Sequence, residues 1–376
     1  MNEQASRNWI DQVRRVVIKI GSRALVRDDS HLDHPQIESL VEQMQALIKG
    51  GRQVICVSSG AVAAGVADLG LRCRPRDLPG LQAAASAGQA HLISFYRDCF
   101  ARYGIPVGQV LLTHADLRQR ERHLNARNTL SYLLEAGAIP IINENDTVAV
   151  KEIKVGDNDI LSALVMTLVQ ADLLIMLTTA DGLYSRPPGV DPGPLIPRVS
   201  EISPMIEAMA GGAGSSVGTG GMRSKIEAAR MVMRAGERMV IANARTPGIL
   251  EKIFAGSATC TFFEPASPRL AGRKRWIAFF HHPRGVITVD PGAVKALRER
   301  GGSLLAIGVK RVEGSFLRGA PVTIVADGGE EIGRGLVNYP AEELVQIQGK
   351  RSADFMKLIG HCEYEEVIHR DNLVLR

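Results

Sequence analysis

Ala138-Ile139-Pro140-Ile141-Ile142-Asn143-Glu144-Asn145-Asp146-Thr147-Val148-Ala149 passes from an apolar run into a polar one, and Glu152-Ile153-Lys154-Val155-Gly156-Asp157-Asn158-Asp159 carries the polar stretch to a second apolar run at 160–169. The first apolar run reads as a short buried strand and the second as a helix. In open α/β sheets such loops gather at the carboxyl ends of strands, where ligands bind. The turn habit of Asn and Asp accounts for one or two residues of this kind. It does not account for carboxylates, carboxamides and a lysine crowded between two apolar elements, so the stretch predicts a site on a strand–loop–helix unit.

Outward from it, apolar runs alternate with helical patterns. Strands are expected at 15–20, 53–57, 106–112, 138–142, 172–177 and 238–242, with helices through 37–49 and 160–169. Nearly all-apolar strands alternating with helices indicate a mainly parallel sheet covered on both faces, a three-layer α/β sandwich. The character changes near Phe262-Phe263-Glu264-Pro265 and the basic run 269–275. Beyond it, short strands at 285–290, 303–307, 321–325 and 331–337 are closely spaced and bounded by turn residues, which suggests a small, mainly-β barrel. The expected domains are 13–265 and 283–363, with the boundary between 265 and 283.

With 376 residues the chain exceeds what one core usually supports, in keeping with two domains. Hydrophobic and charged fractions of 45% and 23% are those of an ordinary globular protein. The richest apolar region, 161–177, is interrupted by Gln170 and Asp172, so no membrane span is expected. Residues 1–15 carry charges without an apolar centre, which does not read as a secretory signal, and a cytoplasmic location is expected. Five cysteines, odd in number and without a CxxC pair, argue against a disulfide frame or zinc site. The histidine pairs His31 with His34, His281 with His282 and His361 with His369 lack companion ligands at structural spacing, so no metal-binding residue is assigned. A net charge of +5 decides nothing between a nucleotide enzyme and an RNA binder.

Three glycine-rich turns are candidates for phosphate handling. Lys19-Ile20-Gly21-Ser22 follows the opening strand, Ser58-Ser59-Gly60-Ala61-Val62-Ala63-Ala64-Gly65 ends a strand and opens a helix, and Gly218-Thr219-Gly220-Gly221-Met222-Arg223-Ser224-Lys225 heads a helical pattern. Glycine lets a backbone approach an anion closely, and the free N–H groups of a helix start suit phosphate or carboxylate. None has the spacing of a P-loop or a Rossmann turn. Singly, each turn is as consistent with a plain bend as with a ligand contact.

In this order, together with Arg120-Glu121-Arg122-His123-Leu124-Asn125-Ala126-Arg127 and the stretch 143–159, these motifs resemble the amino acid kinase family, in its branch that acts on glutamate and carries an appended PUA domain. The resemblance runs from about Val16 to the carboxyl end. It implies ATP-dependent phosphorylation of the side-chain carboxylate of L-glutamate, with ATP and Mg2+ as cofactors. By the same resemblance, Lys19, Thr178, Thr179, Thr219, Gly220, Gly221, Met222, Arg223, Ser224 and Lys225 lie on the nucleotide side, and Ser59, Asp146 and Asn158 on the glutamate side. Lys19 and Lys225 would flank the transferring phosphoryl group, with Asp157 or Asp159 orienting them. At Thr179 the family has aspartate, so only a main-chain contact to the nucleotide is expected there. The resemblance also implies feedback by proline, a homo-oligomer (dimer or tetramer) and a downstream glutamate-5-phosphate reductase as partner.

Two alternatives stay open. One is a related kinase acting on N-acetylglutamate, aspartate or a nucleoside monophosphate. The other is an RNA-binding protein, for which Arg273-Lys274-Arg275-Trp276 would supply charge and stacking. A linker with a packed tryptophan fits the same four residues. Met222, Met231 and Met233 read as core packing.

Overall fold

The structure is a computed structural model describing residues 9–27, 31–149, 157–186, 193–211, 220–265 and 283–375, with the main chain alone at 118, 120, 157 and 220. It divides into two compact units, Met1–Arg269 and Leu270–Arg376. The basic run 273–276 lies outside the described residues.

Strands of the first unit are β1 (Arg15–Ile20), β2 (Gln53–Val57), β3 (Val107–Leu112), β4 (Ile139–Glu144), β5 (Leu173–Thr178), β6 (Arg198–Val199), β7 (Arg238–Asn243) and β8 (Cys260–Phe263). They form one sheet in the order β3-β4-β2-β1-β5-β7-β8-β6. Neighbours run parallel except for the antiparallel pair of β7 with β8. The sequence reading found the six parallel strands within a residue or two at their ends. It missed β6, which is only two residues long, and β8, which falls where the composition was already changing.

The helices are α1 (Ser22–Leu25), α2 (His34–Lys49), α3 (Ala61–Asp68), α4 (Leu78–Ala101), α5 (His114–Arg118), α6 (Arg120–Glu135), α7 (Asp157–Val169), α8 (Pro204–Met209), α9 (Gly220–Arg234) and α10 (Ile249–Ala255). Local chemistry sets their ends. Asp33 accepts from the Gln36 N–H at the start of α2, which has proline in its first turn, and a Thr113–Asp116 capping box opens α5. Along α2 the buried positions Ile37, Leu40, Val41, Met44 and Leu47 recur at helical spacing and cover one face of the sheet.

Alternation along β1 sorts the layers. Val16, Ile18 and Ile20 join one core with α2, α4 and α10. Val17 and Lys19 therefore point to the opposite face, where α7 contacts β1, β4 and β5 and in turn meets α6 and α9. On α9 the core positions are Ile226, Ala228, Ala229 and Val232, while Met222, Met231 and Met233 are each only half-buried, so the methionines edge this core instead of forming it.

Helices α3 and α4 cross with their backbones in contact. A Cβ on Gly65 would stand 1.7 Å from the Ala84 carbonyl oxygen, and one on Gly88 2.0 Å from that of Ala61. Only glycine fits either position, and the approach anchors the loop Ser58-Ser59-Gly60, whose Gly60 opens α3 with φ of 104°.

In the second unit, β9 (Gly285–Val289), β11 (Val309–Gly314), β12 (Pro321–Ala326), β13 (Glu331–Leu336) and β15 (Leu373–Leu375) form a sheet in the order β11-β9-β12-β13-β15, while β10 (Leu304–Leu305) pairs with β14 (Glu366–Ile368). Pairing is antiparallel except between β9 and β12. Ile287, Val289, Val322, Ile324, Ile332, Leu344, Phe355 and Val367 belong to its core. The strand expected at 303–307 is shorter, because the Ala306 and Gly308 carbonyls accept from Gly349 and Asp290 N–H groups and the chain turns there.

Candidate active site

The chain direction reverses about β1: it steps outward to β2 and the β4/β3 edge, then returns to β5 on the other side. Such a reversal opens a crevice at the carboxyl ends of the strands. Lys19 sits there at the end of β1, in register with Val57 of β2 and Met176 of β5.

Although buried, Lys19 is ionically satisfied. Its Nζ lies 2.5 Å from Oδ1 of Asp159, on the first turn of α7. The other carboxylate oxygen of Asp159 accepts from Lys225 Nζ at 3.0 Å and from Ser224 Oγ at 2.6 Å. Lys225 and Ser224 come from the first turns of α9, and Lys225 also donates to the Gly221 carbonyl at 2.9 Å. Burial pushes the Asp159 carboxyl up, but Lys19, Lys225 and the Ser224 hydroxyl outweigh it and hold the group below its ordinary range. Burial, and next to it Lys19, press the Lys225 ammonium down, against the pull of Asp159; Arg23 adds to the downward push. One carboxylate shared by two ammoniums leaves a net positive charge in an enclosed site. A charge so placed is stabilised by an anion.

Next to Asp159 on α7, Asn158 faces the other strands. Its Nδ2 reaches the Ser58 carbonyl at 3.1 Å, Ser59 Oγ at 3.0 Å and Asn143 Oδ1 at 2.9 Å. Ser59 ends the β2 loop, and Asn143 lies near the end of β4. Behind them, Ser58 Oγ meets the Tyr96 hydroxyl at 3.0 Å, and Asn143 Nδ2 donates to Gln89 Oε1 at 2.8 Å. Asp146, in the loop after β4, is partly buried, which raises its carboxyl to about 6 against the opposing field of Arg74.

On the remaining side, Thr178 ends β5 and its carbonyl accepts from the Ala244 N–H at 2.8 Å, while Thr179 is exposed. Asp181, two residues on, accepts from Asn243 Nδ2 at 3.0 Å and from the Tyr184 hydroxyl at 2.7 Å. Gly221, Met222 and Arg223 share the first turns of α9 with Ser224 and Lys225. Gly220 is placed by its main chain as the first residue of that helix, and Thr219 lies outside the described residues, as does the side chain of Asp157. Lys19, Asp159, Ser224 and Lys225 thus make one contact cluster, and Ser59 with Asn158 another. The two are joined because Asn158 and Asp159 are consecutive on α7. Four contributors were not among the expected residues: Ser58, Gln89, Asn143 and Arg23. A signal existed for Gln89, the long polar residue in the small-residue run Ala83-Ala84-Ala85-Ser86-Ala87-Gly88.

Among the described residues no group of three or more His, Cys, Asp or Glu side chains is placed to hold a metal ion, and no helix is long and apolar enough to cross a membrane.

A parallel sheet carrying a buried lysine pair over its strand ends defines a phosphotransferase-like α/β frame, and the chain belongs to the amino acid kinase family, whose model matches residues 14–243, with a PUA domain at 285–359. Over its whole length it is similar to proteins named glutamate 5-kinase: 47% identical to that of Moorella thermoacetica across 100% of both chains, and 49% identical to that of Trichlorobacter lovleyi across 98% of each. The glutamate 5-kinase of Geobacter sulfurreducens is 48% identical over 97% of this chain and 98% of its own. The solved UMP kinase of Ureaplasma parvum aligns with 67% of this chain and 99% of that one, at 14% identity and a TM-score of 0.46.

Proposed function

We propose that this chain transfers the γ-phosphoryl group of ATP to the side-chain carboxylate of L-glutamate, giving glutamate 5-phosphate and ADP, the first step of proline biosynthesis. The observation that carries the reading is the net positive Lys19–Asp159–Lys225 cluster, set one residue from a polar amide cluster suited to an amino acid. In the reaction a carboxylate oxygen attacks the γ-phosphorus. The bond to the β–γ bridging oxygen breaks and its electron pair leaves on ADP.

With a reference pKa of about 4.3 the glutamate side chain is already ionised, so no general base is needed. Catalysis becomes alignment and neutralisation of charge. Two anions about 4 Å apart in an effective dielectric of 20 repel by on the order of 4 kcal/mol. Lys19 and Lys225 oppose that repulsion, Asp159 holds both in place, and Gly221 to Ser224 lie where phosphate oxygens meet main-chain N–H groups. The donor set suits a magnesium ion arriving on the ATP phosphates, because that ion keeps waters and takes few protein ligands; it would add positive charge beside the lysines. Asp146 and the Asn158 amide oxygen are the acceptors offered to the α-ammonium, with the Ser59-Gly60 N–H groups as donors to the α-carboxylate.

The proposal extends to residues 13–265 as the kinase domain and 283–363 as the PUA domain, to a homo-oligomer, and to a cytoplasmic enzyme, in keeping with cysteines that are all free thiols. It extends also to feedback by proline, which shares the α-carboxylate and ammonium that the amino acid pole would bind. The product is a reactive acyl phosphate, which suits consumption by a glutamate-5-phosphate reductase. Residues 283–375 are close to charge-balanced, with 12 Lys and Arg against 13 Asp and Glu, so their net charge does not favour RNA, while the basic run Arg273-Lys274-Arg275 that carried the RNA alternative lies outside this count.

The test is an ATP-dependent hydroxamate assay with L-glutamate, repeated with Lys19→Ala and Lys225→Ala. Each substitution is expected to lower kcat by at least 100-fold, and unchanged activity in both would remove the mechanism. N-acetylglutamate, aspartate and UMP as acceptors in an ADP-release assay separate this activity from that of related kinases.

A further inference from the structure

The orientation of a side-chain amide is set by what it touches, and here two backbone groups settle it for a whole relay. The Glu144 N–H, which can only donate, lies 2.9 Å from the Asn143 amide, so the atom facing it is Oδ1. The Ser58 carbonyl, which can only accept, lies 3.1 Å from the Asn158 amide, so the atom facing it is Nδ2. The Asn158–Asn143 contact at 2.9 Å then runs from Nδ2 to Oδ1, consistent at both ends. Asn143 Nδ2 is left pointing inward, where Gln89 Oε1 receives it at 2.8 Å. A turned-over Gln89 would set two N–H donors against each other.

Asn158 Oδ1 is consequently held as an acceptor. It is enclosed and has no hydrogen-bond partner among the described residues, and neither has Gln89 Nε2 at the inner end of the relay. Buried polar atoms are completed in nearly every folded protein. At Asn158 the completing group must be a donor, and a cationic donor gains most.

We infer that Gln89 is a positioning residue for the amino acid: by accepting from Asn143 Nδ2 it joins the Glu144 N–H and the Ser58 carbonyl in holding the Asn143–Asn158 pair, so that Asn158 directs an oxygen and not an N–H to the substrate's α-ammonium. The inference rests on the glutamate reading and names what enforces its preference for an amine. Gln89 touches no reacting atom. It belongs to α4, beside Gly88 at the tight crossing with α3, so its position is fixed by backbone packing.

The experiment compares wild type with Gln89→Met, which fills the space but accepts nothing, and Gln89→Glu, whose carboxylate still accepts from Asn143. Each is assayed for KM of glutamate and of ATP, for kcat, and for competitive inhibition by glutarate, which lacks the α-ammonium. In Gln89→Met the glutamate KM is expected to rise about tenfold, the scale of one buried hydrogen bond, with the glutarate inhibition constant, kcat and the ATP KM within twofold of wild type. Discrimination between glutamate and glutarate therefore falls about tenfold. Gln89→Glu is expected to keep it within threefold. Should Gln89→Met not fold, Gln89→Ser gives the same comparison, because water replacing the side chain donates and accepts alike and fixes no direction. Unchanged discrimination in the folded variant lacking the acceptor, or parallel weakening of glutamate and glutarate, overturns the inference. A wild-type protein without glutamate-dependent ADP release would overturn the kinase reading instead.

Discussion

Replacing Asp159 by asparagine tests the centre of the site most directly. The carboxylate lies 2.5 Å from Lys19 and 3.0 Å from Lys225, so at an effective dielectric of 20 each attraction is on the order of 5 kcal/mol before desolvation is subtracted. In Asp159→Asn two buried ammoniums would face each other without their counter-charge. Breaking a buried pair in this way costs about 3–5 kcal/mol. The protein can limit the loss by releasing a proton from one lysine. Lys225 is the one to do so, because burial and Lys19 already press its pKa down and Asp159 was the opposing pull.

The sign of the pH effect follows. A lysine with a lowered pKa is charged at low pH and neutral at high pH, and loss of the Asp159 carboxylate lowers it further, so the variant's rate should rise as the pH is lowered, over a range below any high-pH decline of wild type. Urea unfolding at pH 7 should show a loss of about 3–5 kcal/mol, and ADP release at saturating substrates should show kcat down at least 100-fold, equivalent to about 3 kcal/mol. Adding Lys225→Met to Asp159→Asn should return part of the stability and none of the rate, since it removes repulsion and the proposed phosphate contact together. A variant within threefold of wild type in rate, or one with a flat pH profile and unchanged stability, would refute the claim that Asp159 holds a charged lysine pair.

Three further outcomes follow from two observations. Burial raises the Asp146 carboxyl to about 6, so kcat/KM for glutamate should fall as the pH drops through about 6, the fall being absent in Asp146→Asn. Because the raised pKa disfavours the ionised folded form, Asp146→Asn should also stabilise the fold at pH 7, by on the order of 2 kcal/mol after solvent screening, an advantage that vanishes as wild type gains stability between pH 6 and about 4. Gly65→Ala, whose new methyl would overlap the Ala84 carbonyl at 1.7 Å, should force α3 from α4 and cost at least about 3 kcal/mol in thermal or urea unfolding; a variant as stable as wild type would mean that the crossing is looser than described.

What the sequence disclosed depended on how local each signal was. The parallel strands announced themselves because a strand buried on both faces must be apolar throughout, and β1 is buried at five of its six positions. Lys19 and Lys225 were legible through the order of the glycine turns and the family resemblance it carries, since alone the Lys19 turn reads equally as a plain bend with a solvated lysine. Gln89 gave only a weak sign, since its meaning lies in a partner 54 residues away, and a glutamine in a small-residue helix that also carries Gln82 reads equally as a surface residue. Strand β8 was hidden because it has only four residues and lies at the point where the chain changes character.

The adjacency of Asn158 and Asp159 gives the site its chemical logic. In the proposed reading, one residue turns its amide to the amino acid and the next holds, by its carboxylate, the two cations that would meet the phosphates, both from the first turn of a 13-residue helix packed on the central sheet. Neither pole can drift without the other. Under that reading, the span between an α-ammonium bound at Asn158 and an attacking oxygen beside Lys19 would be set by two consecutive residues of one helix, with Asp159 holding the lysine ends. An acceptor shorter by one methylene would keep its ammonium contact and leave its carboxylate about 1 Å or more short of the attacking position, a misplacement that can reduce a rate by about 100-fold. Selection for glutamate over aspartate would then appear in kcat more than in binding, because the shorter acid still satisfies the amide pole and fails only at the point of attack.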